Sequence, residues 1–427
     1  METSTITLII VGVMMISYLS GILPIAVTAI LACLACAVFG VIPYNTAFSG
    51  FGNDLLFLII GMLVVGATLF ETGVAQVIGK RIISMVGTNE RVFIVAIILV
   101  STLISLFMSN TATASIILPI TASAVAASGG KLKKKNTFMM MGIAVCAGGG
   151  LTLIGSTPQL IAQGILQEGG YDTATFFEYS RIGIPVLILI VVYYLTLGNL
   201  LQKKVFNFPE IEDNNQSSSD TAVGEGSKIS PFKMCLSVGI LIFCIVGFIT
   251  EIWSMGVVAM IGAVLCVATG CISQKKALEK MDWTTIIVIG CSFGISSALD
   301  QSGAGRLVAQ GMISLLGERI SPWLLCSMLA LISTLLTNFM SSTATASLLI
   351  PIAALMAVEL DYNVKSVVMV VAIAANIGYA TPISTPAITM TLSGGYRFKD
   401  YVKLGGLLNL LAIILLIVLI PITLNIG

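Results

Sequence analysis

The sequence predicts an all-α integral membrane protein built from two inverted repeats, and three observations carry that expectation. Only 10% of the 427 residues are charged and 57% are hydrophobic, whereas a soluble domain carries about 25% charged residues. With a mean hydropathy of +1.04, the chain cannot clothe a water-facing surface. Its apolar residues are gathered into runs of membrane-spanning length. The third observation is internal. Residues 107–120 read FMSNTATASIILPI and residues 339–352 read FMSSTATASLLIPI, ten identities in fourteen at an offset of 232. Ser156-Thr157-Pro158 matches Ser384-Thr385-Pro386 at 228, and Gly169-Gly170-Tyr171 matches Gly394-Gly395-Tyr396 at 225. Collinear matches with a slowly drifting offset mark a duplication.

A membrane-crossing helix takes about 20 apolar residues, so a chain of this length has room for about ten to fourteen. Apolar runs at 4–20, 22–42, 54–78, 137–165 and 182–201 supply five spans. The first of them lacks a basic flank and is read as a span, not a cleavable signal. A polar, Ser-rich stretch at 209–231 follows and reads as a cytoplasmic linker. Five more runs lie at 233–250, 254–272, 283–300, 366–392 and 404–425. Two further apolar stretches, 92–127 and 322–359, are too long for one span, and each is interrupted by polar residues near its centre. They are read as re-entrant hairpins, one in a first repeat of residues 1–208 and one in a second repeat of residues 232–427.

The charges orient this arrangement. With five spans and one hairpin per repeat, seventeen of the Lys and Arg residues fall on one face, including Lys131, Lys133, Lys134, Lys135 and Lys275, Lys276, Lys280. Four, Arg181, Arg306, Arg319 and Lys365, fall on the other. The basic face is cytoplasmic. An odd number of spans inverts the second repeat relative to the first, with both termini outside. The first hairpin then enters from the cytoplasm and the second from outside. A net charge of +1 gives no reason to expect nucleic acid. The absence of histidine disfavours zinc and His-based chemistry. The nine cysteines all lie in or beside apolar runs and read as small core residues.

An inverted repeat with a polar break inside each hairpin implies a secondary transporter that binds near the bilayer midplane. Backbone that leaves a helix inside a membrane must be buried in protein or line a wet cavity. At Ser109-Asn110-Thr111 and Ser341-Ser342-Thr343 two half-helices meet, offering hydroxyls, N–H groups for an anion and carbonyls for a cation. A second pair of breaks, around Gly155–Pro158 and Ala380–Pro386, interrupts two otherwise apolar spans, with prolines expected to free carbonyls there. The Gly148–Gly150 run is expected to allow close backbone packing. Glu71 and Asp300 occupy matching places and read as polar helix ends. The segment 306–319 and its counterpart 76–86 read as amphipathic helices lying along the interface.

The two Ser-Asn-Thr-type tips followed by Ala-Thr-Ala, the later Thr-Pro breaks, and GGYRFKDYVK at 394–403 resemble the divalent anion/sodium symporter family, which includes dicarboxylate and citrate carriers. The resemblance implies a homodimer working by an elevator mechanism, in which a transport domain of hairpins and broken helices slides against a scaffold. It implies a substrate site of Ser109, Asn110, Thr111, Thr157, Pro158, Ser341, Ser342, Thr343, Thr385 and Pro386. It implies one sodium site at Ser105, Ser109, Asn110 and carbonyls near Ser156. A second sodium site would use Thr337, Ser342 and carbonyls near Met340 and Ser384. Two departures stand out. Ser342 occupies a position where the family usually has Asn, and Gln159 and Ala387 stand where Asn is common.

The expected function is sodium-coupled transport of a small dianion, a C4 or C5 dicarboxylate such as malate, fumarate, succinate or 2-oxoglutarate, across the cell membrane. With no Lys or Arg in the expected site, bound cations must offset the anion's charge inside the membrane. An obligate dicarboxylate exchanger and a sulfate transporter are the alternatives. A proton-driven antiporter would need midplane acids, and none is evident. A membrane hydrolase would need a base to activate serine, and the sequence has neither His nor GxSxG.

Overall fold

The computed structural model describes residues 2–78, 81, 89–206, 230–250, 252–316 and 320–424. Almost all of the linker expected at 209–231, and most of the segment at 76–86, lie outside the described residues. The first half contains α1 (Thr3–Ser20), α2 (Ile25–Val38), α3 (Tyr44–Ala47), α4 (Asp54–Glu71), α5 (Glu90–Ser105), α6 (Asn110–Ala127), α7 (Lys134–Gly149), α8 (Thr157–Glu168), α9 (Ser180–Leu195) and α10 (Leu197–Val205). The second half contains α11 (Pro231–Thr250), α12 (Met255–Ala268), α13 (Gln274–Glu279), α14 (Trp283–Gln301), α15 (Ala304–Leu316), α16 (Pro322–Thr337), α17 (Ser342–Glu359), α18 (Val364–Ala375), α19 (Pro386–Met390) and α20 (Phe398–Thr423).

The duplication is visible element by element. Helices α5 and α6 recur as α16 and α17 with every boundary displaced by 232 residues, the offset of the sequence repeat. The packing is exchanged between halves. Helix α4 lies against α12, and α2 against α14. The first half's α8 packs on α17 and α18, while the second half's α19 packs on α6 and α7. Each hairpin is therefore backed by the broken helix of the other repeat.

Seven described helices are long and apolar enough to cross a membrane, and an eighth arises if α9 and α10, bent by 52°, count as one. Two of the seven are α6 and α17, the second arms of the hairpins. The runs at 137–165 and 366–392, expected as spans interrupted around Gly155–Pro158 and Ala380–Pro386, are indeed each two helices, and the unwound backbone, at 150–156 and 376–385, begins earlier than expected. Pro158 and Pro386 do not cause this, although Pro382 lies inside the second unwound segment. Pro158 and Pro386 sit in the first turn of α8 and α19, where a missing N–H costs no hydrogen bond. The unwinding lies upstream, beside closely packed glycines. A Cβ on Gly149 would stand 2.3 Å from Asn110 Oδ1 and 2.7 Å from the Gly155 carbonyl.

Burial follows the same plan. Helices α1 and α11 turn large apolar side chains such as Ile16, Phe232 and Ile249 outward, as a surface facing lipid or another protein does. Helices α7, α17 and α18 are buried on nearly every side. Glu71 ends α4 and pairs with Lys276 at 2.5 Å, consistent with a polar helix end.

Candidate substrate and ion site

Both hairpin tips form where a serine stands directly before a helix start. Ser109 caps α6 by accepting the Ala112 N–H at 3.4 Å, and Ser341 caps α17 by accepting the Ala344 N–H at 3.1 Å. An N-cap serine satisfies one of the free N–H groups at a helix start. The two unwound segments are tied to the tips in matching ways. The Thr152 hydroxyl donates to the Leu106 carbonyl at 2.7 Å, and the Thr381 hydroxyl donates to the Asn338 carbonyl at 2.7 Å.

The tips and breaks meet at one cavity of about 570 Å³. Ser109, Asn110, Thr111, Ser341, Ser342, Thr343, Thr157, Thr385 and Pro386 line it, with Ser156. Pro158 is the one expected substrate residue that does not, being buried behind Thr157 in the first turn of α8. These lining residues are the N-terminal ends of α6, α17, α8 and α19. The starts of three long helices, α6, α8 and α17, and of the five-residue α19 thus border one space, and the positive dipole ends of the long helices lie beside it. Ile59, Met62 and Leu63 of α4 form an apolar wall, and Phe70, Glu279, Lys280 and Asp282 stand at the other end. Among the described residues Lys280 is the only basic one on the lining, and its Nζ lies 5.2 Å from the centre of the Phe70 ring.

The two expected cation sites differ in detail. In the first repeat, Ser105 Oγ lies 2.9 Å from Asn110 Oδ1 and 2.8 Å from the Val145 carbonyl. A hydroxyl has one proton and satisfies only one of these oxygens. The surplus of oxygen lone pairs, with the Gly155 carbonyl close to Gly149, suits a hard cation. The Ser156 hydroxyl donates to Asn376 Oδ1 at 2.5 Å, leaving its backbone carbonyl as the group available to an ion. In the second repeat, the Thr337 hydroxyl donates to the Ala375 carbonyl at 2.8 Å. The Ser384 carbonyl already accepts the Ser342 N–H at 2.9 Å, and the Ser384 hydroxyl donates to the Gly378 carbonyl. Met340 is buried beside Thr337, its N–H held by Leu336. No cluster of three or more Cys, Asp or Glu residues able to hold a metal occurs among the described residues.

Sequence reasoning missed Thr152, Asn338 and Asn376. Thr152 and Thr381 do the same work, but one stands four residues before its Ser-Thr-Pro and the other three, which hides the match. Asn376 lies outside the motif and gives no repeat signal.

A family model described as citrate transporter matches residues 6–370. The chain belongs to the citrate transporter family. Among its relatives, an uncharacterised transporter of Haemophilus influenzae is 27% identical over 421 residues, covering 93% of this chain and 87% of the other. The sodium-dependent dicarboxylate transporter SdcS of Staphylococcus saprophyticus is 23% identical over 438 residues, covering 94% and 83%. The sodium-dependent high-affinity dicarboxylate transporter 3 of Caenorhabditis elegans is 25% identical over 464 residues, covering 95% and 80%. These names agree with the resemblance to divalent anion/sodium symporters read from the hairpin motifs. The fold is shared with the YdaH transporter of Alcanivorax borkumensis at a TM-score of 0.57 and 16% identity, over 92% of this chain and 88% of that one. MtrF of Neisseria gonorrhoeae follows at 0.54 and 13%, over 99% and 95%. This member of the citrate transporter family is an all-helical, multi-pass protein of the cell membrane, and its family and relatives are transporters.

Proposed function

We propose that the chain is a secondary active transporter that carries a small dianion, a C4 or C5 dicarboxylate such as succinate, malate, fumarate or 2-oxoglutarate, together with sodium. The observation that carries the reading is the convergence of the starts of α6, α8, α17 and the short α19 on one cavity. Two carboxylates can be held there by N–H groups and by the hydroxyls of Ser109, Thr111, Thr157, Ser341, Thr343 and Thr385, without a permanent counter-charge among those residues. Sodium ions beside Asn110 and Ser342 then offset the charge that would otherwise be costly in a low-dielectric slab. Ser105, Asn110 and the Ser156 carbonyl hold the first ion. Thr337, Ser342 and the carbonyls of Met340 and Ser384 hold the second.

The transport unit consists of both hairpins with α7–α9 and α18–α20, and it slides against a scaffold of α1–α4 and α11–α14 that joins two copies in a homodimer. Residues 1–208 and 232–427 are the inverted repeats, joined by a cytoplasmic linker. Since Glu279, Lys280 and Asp282 lie on the basic face, the cavity opens to the cytoplasm. One observation favours a second reading, dicarboxylate exchange with weak sodium coupling: the Ser342 N–H already takes one of the two lone pairs of the Ser384 carbonyl.

Purified protein in liposomes distinguishes the two. A sodium gradient alone drives labelled-succinate uptake if the carrier is a symporter. Uptake that requires internal dicarboxylate and ignores sodium selects the exchanger. Competition by malate, 2-oxoglutarate, citrate and sulfate ranks the anions, and failure of every dicarboxylate to compete rejects the substrate class.

A further inference from the structure

Two contacts join the first half of one broken helix to the unwound segment of the other, and they are chemically unlike. Cys146 Sγ, near the end of α7, lies 3.0 Å from Thr385 Oγ1 at the second break. Asn376 Oδ1, just past the end of α18, accepts the Ser156 hydroxyl at 2.5 Å in the first break. The two residues stand at matching places. The hydroxyls of Ser105 and Thr337 donate to the carbonyls of Val145 and Ala375, the residues immediately before Cys146 and Asn376.

Asn376 is the more fully engaged of the pair. Its Nδ2 donates to Gln159 Oε1 at 3.0 Å and to the Ala372 carbonyl at 3.1 Å. Gln159 is fully buried, and among the described residues its Nε2 has no hydrogen-bond partner, although it lies beside Gly150 at the end of α7. Ser156 precedes α8 in the position where a serine ordinarily caps a helix, yet its side chain makes no capping bond. The hydroxyl is committed to Asn376 instead. A buried chain of amide and hydroxyl groups therefore begins in the second repeat and ends on Ser156, next to Gly155, whose carbonyl lies with Asn110 Oδ1 beside Gly149.

We propose that Asn376 is a positioning residue for the cation site of the first repeat. It fixes Ser156 so that the carbonyls of 150–156 stay turned toward Ser105 and Asn110, and it joins that site to the break of the second repeat. The thiol of Cys146 gives the second break only a weak brace. The proposal rests on the assignment of the first sodium ion to Ser105, Asn110 and Ser156.

Sodium titrations of succinate uptake in liposomes test it, with the sodium-induced rise in Tm of the detergent-solubilised protein as a readout independent of transport. Asn376→Ala frees Ser156, and the sodium concentration for half-maximal uptake is expected to rise at least fivefold. The succinate KM at saturating sodium should stay within twofold. Asn376→Asp keeps an acceptor for Ser156, lets the unpartnered Gln159 Nε2 turn to the new carboxylate, gives up the bond to the Ala372 carbonyl, and adds negative charge near the ion. Its sodium requirement should equal or fall below that of the wild type. A purely structural asparagine would make both variants worse. If both weaken sodium binding alike, or neither changes it, the positioning role is overturned. Should Asn376→Ala not fold, Asn376→Asp decides alone, and a raised sodium requirement rejects the role. Ser105→Ala separates the premise. If it leaves the sodium response unchanged, the ion assignment is wrong and the proposal falls with it. If it shifts the response and Asn376→Ala does not, the assignment stands and the positioning role is overturned.

Discussion

Ser105, the last residue of α5, and Asn110, the first of α6, face each other across the first hairpin's turn with Oγ and Oδ1 2.9 Å apart. Asn110 is the only amide among the three residues that begin either hairpin's second arm. Asn110→Ala should cost both sodium and succinate affinity, because in the proposed site one side chain serves both. Losing a hydrogen bond to a charged group costs about 1.5–3 kcal/mol, or roughly ten- to hundred-fold in affinity. Initial-rate uptake over sodium and succinate concentrations measures both. Unchanged values would place the site elsewhere.

Gly149→Ala tests the packing that builds the same corner. The new Cβ would meet Asn110 Oδ1 at 2.3 Å and the Gly155 carbonyl at 2.7 Å; the second is backbone, and the first is a side-chain tip held by Ser105. Overpacking of this kind costs about 1–3 kcal/mol, and here it pushes Asn110 out of position. Uptake should fall by at least tenfold while the protein still reaches the membrane. Gly239→Ala, with open space around it, is the control and should leave uptake unchanged.

The orientation is tested by labelling. On a background in which Cys235, the one exposed cysteine, is replaced, a single cysteine at Lys133 should react only with reagents that reach the cytoplasm. A cysteine at Arg181 should react from outside. Reaction at Lys133 from the exterior would overturn the orientation and, with it, the placement of the first hairpin.

Sliding of one unit past another requires contacts that break. The Ser297 hydroxyl of α14 donates to Glu168 Oε1 at the end of α8 at 2.6 Å, a contact that joins the proposed scaffold to the proposed transport unit. Replacing both by cysteine and oxidising should arrest uptake, and reduction should restore it. Full activity of the cross-linked protein would rule out relative motion of α8 and α14.

The hairpin tips are legible in the sequence because a polar cluster inside an apolar stretch has few tolerable explanations in a membrane, and because the repeat doubles every signal. Ser109 and Ser341 are found as N-caps, where their sequence context places them. What the sequence hides comes from packing. Pro158 and Pro386 suggest themselves as the cause of the breaks at 150–156 and 376–385, but both sit harmlessly in helix starts. Close approach at Gly149 and Gly378 accompanies the unwinding instead. Asn376 escapes notice because one polar residue in an apolar run reads as a helix end. Its importance appears only when a segment 220 residues away is folded against it.

The second hairpin offers the sharpest test, because Ser342 replaces the amide found at Asn110. The structure gives this difference a consequence. In the second repeat the Ser342 N–H bonds directly to the Ser384 carbonyl at 2.9 Å, whereas in the first repeat a side-chain carbonyl stands between tip and helix. The second site is therefore poorer in free oxygen, and the first ion should bind more tightly. Ser342→Asn adds a carbonyl acceptor for the ion and an NH₂ that can donate to a substrate carboxylate. If the site is a weakened sodium site, the substitution should lower the sodium requirement about tenfold, by the same hydrogen-bond arithmetic, and steepen the sodium dependence of uptake. If Ser342 instead shapes the cavity for a bulkier anion, asparagine would crowd the space, raising the succinate KM and leaving the sodium curve where it was. Sodium titration of initial rates in wild type and Ser342→Asn separates the two. An unchanged sodium curve with weakened succinate binding would move Ser342 from ion coupling to substrate choice.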